Sequence, residues 1–247
     1  MPRRLTAEFI GTAFLLMTVI GSGIMGERLA QGNDAIALLA NSIATGCALY
    51  VLILIFGPVS GAHFNPAVTL CMVLEKRIAK SDAAAYIVVQ ILAAFAGVAL
   101  AHLMFGEPLF AASAKIRTGG GQWLSEFIAT FGLLSVIWGC VRQKISAVPA
   151  AVACYITAAY WFTSSTSFAN PAVTVARGFS NSFAGIRPED AAGFIIAQLA
   201  GAVAATLAAR YWADSPTGNR SSRGGFPVWA GRPAFRPRGG VRRRIAP

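Results

Sequence analysis

Apolar residues occupy this chain in long unbroken blocks. Six of them reach the roughly 17–25 residues that a membrane-crossing helix needs: about Leu5–Met25, Ala35–Phe56, Ala83–Phe105, Trp123–Val141, Ile145–Phe162 and Ala191–Tyr211. Full charges enter these blocks only at Glu8, Glu126 and Arg210. Glycine and alanine are frequent throughout, as expected where helices associate by close backbone approach. No strand-like alternation competes, so the pattern predicts an all-α membrane protein with six spans. The first block follows Met1-Pro2-Arg3-Arg4 with no convincing cleavage site, and is expected to be a retained helix rather than a signal peptide.

Two further apolar runs are too short to cross a bilayer. Asn65-Pro66-Ala67-Val68-Thr69 opens one and Asn170-Pro171-Ala172-Val173-Thr174 opens the other. A short polar stretch precedes each copy, Gly57 to Phe64 in the first half and Thr163 to Ala169 in the second. Proline suits the first turn of a helix, where its missing N–H costs nothing. Both copies read as half-helices that enter the membrane without crossing it.

The blocks around them repeat. Thr6-Ala7-Glu8-Phe9-Ile10-Gly11-Thr12 in the first span is echoed by Leu124-Ser125-Glu126-Phe127-Ile128-Ala129-Thr130 in the fourth, and Tyr86, Gln90 and Gly97 in the third by Phe194, Gln198 and Gly201 in the sixth. The halves run about 5–106 and 122–212. Each holds three spans, an odd number, so the second copy enters the membrane upside down: an inverted repeat, with its site near the midplane where the broken helices meet.

Non-helical backbone at that depth is tolerated only where protein or a water-filled cavity satisfies it. Each half-helix turns its N–H groups and the positive end of its dipole toward the centre. Asn65 and Asn170 sit at the cap positions, where the side-chain oxygen engages helix N–H groups and the NH2 remains for a permeant oxygen. Such a centre donates hydrogen bonds, repels cations and interrupts a proton wire. The pore-centre residues are therefore Asn65, Pro66, Ala67, Asn170, Pro171 and Ala172.

Composition agrees: 55% of the 247 residues are hydrophobic and 13% charged, too apolar for an ordinary soluble domain. The net charge of +11 is uneven, because eight arginines fall after Trp212 in a Gly- and Pro-rich stretch. Residues 1–212 are expected to form the channel domain and 213–247 a disordered basic tail. Beside a membrane domain such a tail is expected to lie on the anionic inner leaflet rather than bind nucleic acid. Lys76, Arg77, Lys80, Arg142 and Lys144 lie in loops on the side of the termini, which places both termini in the cytoplasm. Cys47, Cys71, Cys140 and Cys154 fall in apolar runs without ligand spacing, so neither a disulfide, a metal nor a cofactor is indicated.

These motifs resemble the aquaporin, or major intrinsic protein, superfamily over about residues 5–212. Gly61-Ala62-His63-Phe64-Asn65-Pro66-Ala67-Val68-Thr69 and the second Asn-Pro-Ala carry the likeness. It implies six helices with two re-entrant half-helices, a homotetramer with one pore per subunit, and small neutral solutes as cargo. It also exposes a departure. The family pattern has arginine directly after the second Asn-Pro-Ala, in an aromatic/arginine constriction; here Val173 stands there. The other constriction positions fall on Thr45, Ala158 and Ser167, all without an aromatic ring or charge, which implies a wide filter. Arg177, one turn after Val173, either replaces the missing charge in the outer vestibule or caps loop carbonyls. The second motif looks most like the bacterial aquaglyceroporins associated with arsenic resistance, which implies passage of glycerol and of neutral metalloid hydroxides such as arsenite.

Three other ionisable groups need a role. Glu8 and Glu126, symmetric in the two halves, are expected to accept hydrogen bonds from the re-entrant loops. His63 either braces its loop or gates the cytoplasmic mouth. The competing reading is a proton-coupled secondary transporter, which would need a carboxylate at the midplane, and no acid lies near either Asn-Pro-Ala. No catalytic constellation appears in the spans, so an enzyme is not expected.

Overall fold

The computed structural model describes residues 1–213, and the expected basic tail, apart from Ala213 at the end of the last helix, lies outside the described residues. The chain forms α1 (Pro2–Leu29), α2 (Asp34–Ser60), α3 (Pro66–Leu74), α4 (Lys80–Phe105), α5 (Gly120–Gln143), α6 (Val148–Phe162), α7 (Pro171–Arg177) and α8 (Ala191–Ala213), with single 3-10 turns at Ile145–Ala147 and Pro188–Asp190. Six of these elements, with their flanking turns, are long and apolar enough to cross a membrane. They coincide with the six blocks of the sequence. Several helices run a few residues beyond their blocks, α1 to Leu29 among them; α2 runs on to Ser60 although Pro58 lies inside it, and Gly61 closes it at φ +91°, a left-handed conformation that glycine adopts without steric cost.

The inverted repeat is legible in the packing. α1 packs on α2 and α4, and α5 packs on α6 and α8, while α2 against α6 joins the halves. Gly97 of α4 lies against the carbonyl of Ala13, and Gly201 of α8 against the carbonyl of Phe127, each so closely that a Cβ would collide with the oxygen. The two glycines let equivalent helix pairs approach in the two halves.

α3 and α7 are the expected half-helices, of 9 and 7 residues. Each begins with proline behind an extended asparagine cap, Asn65 at φ −156° and Asn170 at φ −157°. The loops before them match as well. Ala62 and Phe64 have φ of 48° and 48°, and Ser167 and Ala169 have φ of 51° and 48°. Left-handed geometry costs a residue with a Cβ about 1–2 kcal/mol, so each loop holds strain that its surroundings must offset.

Candidate functional site

Two buried carboxylates hold the strained loops. Glu8 Oε1 accepts from His63 N at 2.9 Å and Ser60 Oγ at 2.6 Å, and its Oε2 from Phe64 N at 2.7 Å and Gln90 Nε2 at 2.9 Å. In the second half Glu126 Oε1 accepts from Phe168 N at 2.9 Å, and Oε2 from Ala169 N at 2.9 Å and Gln198 Nε2 at 2.6 Å. The glutamines tie on to the half-helices, Gln90 donating to Thr69 at 3.0 Å and Gln198 to Thr174 at 2.8 Å. Charge-assisted bonds of this kind are the strong ones, and they fix the loop backbone that places the asparagines.

Those asparagines then join the halves head to head. Asn65 Oδ1 accepts from Ala67 N at 2.8 Å, and Asn170 Oδ1 from Ala172 N at 3.0 Å. Asn65 Nδ2 donates to the Ala169 carbonyl at 2.7 Å and Asn170 Nδ2 to the Phe64 carbonyl at 2.8 Å. Each NH2 has a second hydrogen beyond the one so used.

A single cavity runs past both caps. One edge is polar, built from the consecutive residues Gly61 to Asn65 and Ser167 to Asn170. The facing wall is apolar, with Leu15, Val19, Leu49 and Ile53 from one half and Leu133, Ile137, Val152 and Ile156 from the other. Val68 and Met72 of α3, and Val173 and Arg177 of α7, add to the lining. Pro66, Ala67, Pro171 and Ala172 are buried behind it as the first turns of the half-helices.

Of the expected constriction residues, Thr45, Ser167 and Val173 line the cavity. Ala158 does not: it is exposed on the outer face of α6. The reason is helical phase. Val148, Val152, Ile156 and Tyr160, four residues apart, face the cavity, and Ala158 lies half a turn away from that stripe. The aromatic-free, charge-free filter is corrected accordingly. Tyr160 stands in the lining with its OH 3.2 Å from Thr45 Oγ1, and Phe168 and Arg177 stand there too.

His63 lines the cavity on the side of the termini, its backbone held by Glu8 and its Nδ1 3.0 Å from Thr69 Oγ1. This is a bracing geometry. Glu8 and Glu126 are fully buried outside the cavity lining.

On the far side, the segment from Ser113 to Arg117 packs on the loops around α7. Ser113 N donates to the Gly178 carbonyl at 2.9 Å, and Lys115 Nζ to the Phe183 carbonyl at 2.8 Å. Arg117 Nε donates to Gly185 O at 2.8 Å and Nη1 to Ser165 O at 3.1 Å, while its backbone N–H meets Asp190 Oδ2 at 2.9 Å. Burial pushes the Arg117 guanidinium down to about 10, opposed by the Glu126 carboxylate, so it stays charged at neutral pH. Arg117, Tyr160 and Phe168 were not legible as site residues: an arginine in a long loop carries no local signal of the carbonyls it will reach.

Doubled half-helices capped by asparagine around one cavity define a class, the membrane channels built on an inverted repeat. Residues 1–160 match the family described as "Major intrinsic protein", and the chain belongs to that family. It is 55% identical over 216 residues to aquaglyceroporin AqpS of Rhizobium meliloti (strain 1021), across 87% of this chain and 92% of that protein. Aquaporin NIP1-1 of Arabidopsis thaliana is 31% identical over 151 residues, 58% of this chain and 50% of that one. The aquaglyceroporin of Plasmodium falciparum shares the fold, with a TM-score of 0.66 at 20% identity over 86% of this chain and 95% of that chain.

Proposed function

We propose that the chain is a passive pore for water, glycerol and small neutral metalloid hydroxides such as arsenous acid. The observation that carries this reading is the cavity itself, polar along the asparagine loops and apolar on the facing wall. A solute with hydroxyls on one side and carbon on the other can trade water for both surfaces at once. The small side chain of Val173 next to Asn170 leaves this stretch wider than an arginine would. The 55% identity to a protein named aquaglyceroporin supports polyol cargo. Arsenous acid is a neutral trihydroxide near glycerol in size, and the same surfaces suit it.

The positive residues on the side of the termini support a cytoplasmic location for both ends, and a bacterial inner membrane suits the Rhizobium relative. The family resemblance supports a homotetramer with one pore per subunit. Proton-coupled transport finds little support, because both buried carboxylates are committed to backbone and glutamine donors away from the cavity.

Stopped-flow swelling of proteoliposomes, with water, glycerol and arsenous acid as separate solutes, tests the proposal. All three should enter faster than in empty liposomes. Water alone entering would reduce the protein to a water channel, and no acceleration would end the reading.

A further inference from the structure

One turn beyond Val173, α7 places an arginine in the same cavity. The repeat explains why it points inward. Met72 lies seven residues after Asn65 and Arg177 seven after Asn170, and the two equivalent positions line opposite mouths of the cavity. Arg177 is only 1% exposed. Its guanidinium carbon lies 3.3 Å from the centroid of the Phe168 ring, and its Nε donates to the Ala184 carbonyl. The guanidinium of Arg117 is 5.1 Å from the same ring. The two arginines nonetheless differ. Arg117 donates through Nε and Nη1 to loop carbonyls, whereas among the described residues no hydrogen bond or ion pair engages either terminal nitrogen of Arg177. A guanidinium held by its ring face and its Nε keeps four N–H donors for whatever occupies the cavity.

We infer that Arg177 is a specificity-determining residue, which with Tyr160 moves the cationic, donating part of the constriction one helical turn outward from position 173. The inference rests on the reading of the chain as a neutral-solute pore. Four residues along a helix amount to about 6 Å, so a solute entering from the far side meets the arginine fork before it reaches the wider segment beside Val173. Hydroxyl oxygens of a polyol or a neutral oxyacid accept from the fork, and cations are repelled there. Phe168 and Arg117 act as positioning residues: the ring fixes the plane of the Arg177 guanidinium, and Arg117 packs on that ring from a loop tied to Ser165 and Gly185.

The test compares Arg177→Met, Arg177→Lys and the double variant Val173→Arg with Arg177→Met in proteoliposomes, reading water, glycerol and methylammonium uptake. Methionine keeps bulk without charge: methylammonium uptake should rise by roughly fivefold or more, and the glycerol-to-water ratio should fall. In the double variant, which returns the arginine to position 173, cation exclusion should come back. Lysine keeps the charge and can still reach the Ala184 carbonyl but lacks the fork: cations stay excluded while the glycerol-to-water ratio falls about threefold or more. If the methionine variant misfolds, the lysine variant decides. Wild-type values of both readouts in a folded, water-conducting Arg177 variant would make the residue a mere brace of the Ala184 loop and overturn the inference, while leaving the neutral-solute reading intact. A wild-type protein that conducts no solute would overturn both.

Discussion

Asn65 Nδ2 donates to the carbonyl of Ala169 at 2.7 Å, so the cap of one half-helix holds the loop that leads into the cap of the other. Asn170 returns the bond to Phe64. The pore centre is thereby a reciprocal clasp, and its geometry depends on the carboxylates that keep both loops in their left-handed backbone.

Glu8→Gln should therefore destabilise the fold rather than alter proton dependence. The amide would offer an NH2 where the carboxylate accepts from His63 N, Phe64 N, Ser60 and Gln90. Each bond to a charged acceptor is worth about 1.5–3 kcal/mol, so a marked drop in melting temperature in detergent is expected, with Glu126→Gln behaving alike. A stable variant with altered proton coupling would contradict the bracing role.

Gly97→Ala and Gly201→Ala should each loosen one helix pair. The added Cβ meets the Ala13 or Phe127 carbonyl in the two halves, and overpacking of this kind costs about 1–3 kcal/mol. Thermal unfolding followed by size exclusion should show similar losses for the two; unchanged stability in both would mean that the helices stand further apart.

Helical phase on α6 gives a prediction about selectivity. Ala158→Trp places its ring on the exposed face of the helix and should leave the glycerol-to-water ratio unchanged. Tyr160→Ala removes a lining ring and its contact with Thr45, and should admit larger neutral polyols. The reverse pattern in stopped-flow uptake would put the lumen on the other side of α6.

Val173→Arg should narrow the pore toward water. Val173 lies in the lining directly beyond the second Asn-Pro-Ala, so a guanidinium there fills the wider segment. Glycerol uptake should drop about tenfold or more while water uptake falls less. Unchanged entry of larger solutes would show that Val173 lies away from the constriction.

Much of this was legible in the residues. The doubled Asn-Pro-Ala carried the half-helices because proline behind an asparagine cap is a strong start signal, and the spans followed from apolar length alone. What stayed hidden was azimuth. α6 is apolar all round, with lipid on one face and lumen on the other, so nothing in its composition distinguished Ala158 from Tyr160. The residues from Gly57 read as part of a short polar stretch after the second span, yet the helix continues through Ser60 and closes at Gly61, where Ser60 Oγ meets Glu8. The spacing of Arg177 from Val173 left two roles open, lumen charge or loop cap, and in the folded chain the side chain both lines the cavity and donates to the Ala184 carbonyl with its guanidinium over the Phe168 ring.

Initial glycerol flux into proteoliposomes, measured across a range of gradients with the proton gradient collapsed, tests the central claim most directly. A passive pore predicts flux that rises in proportion to the gradient and is indifferent to proton or sodium gradients. Flux that saturates and follows the proton gradient would contradict it.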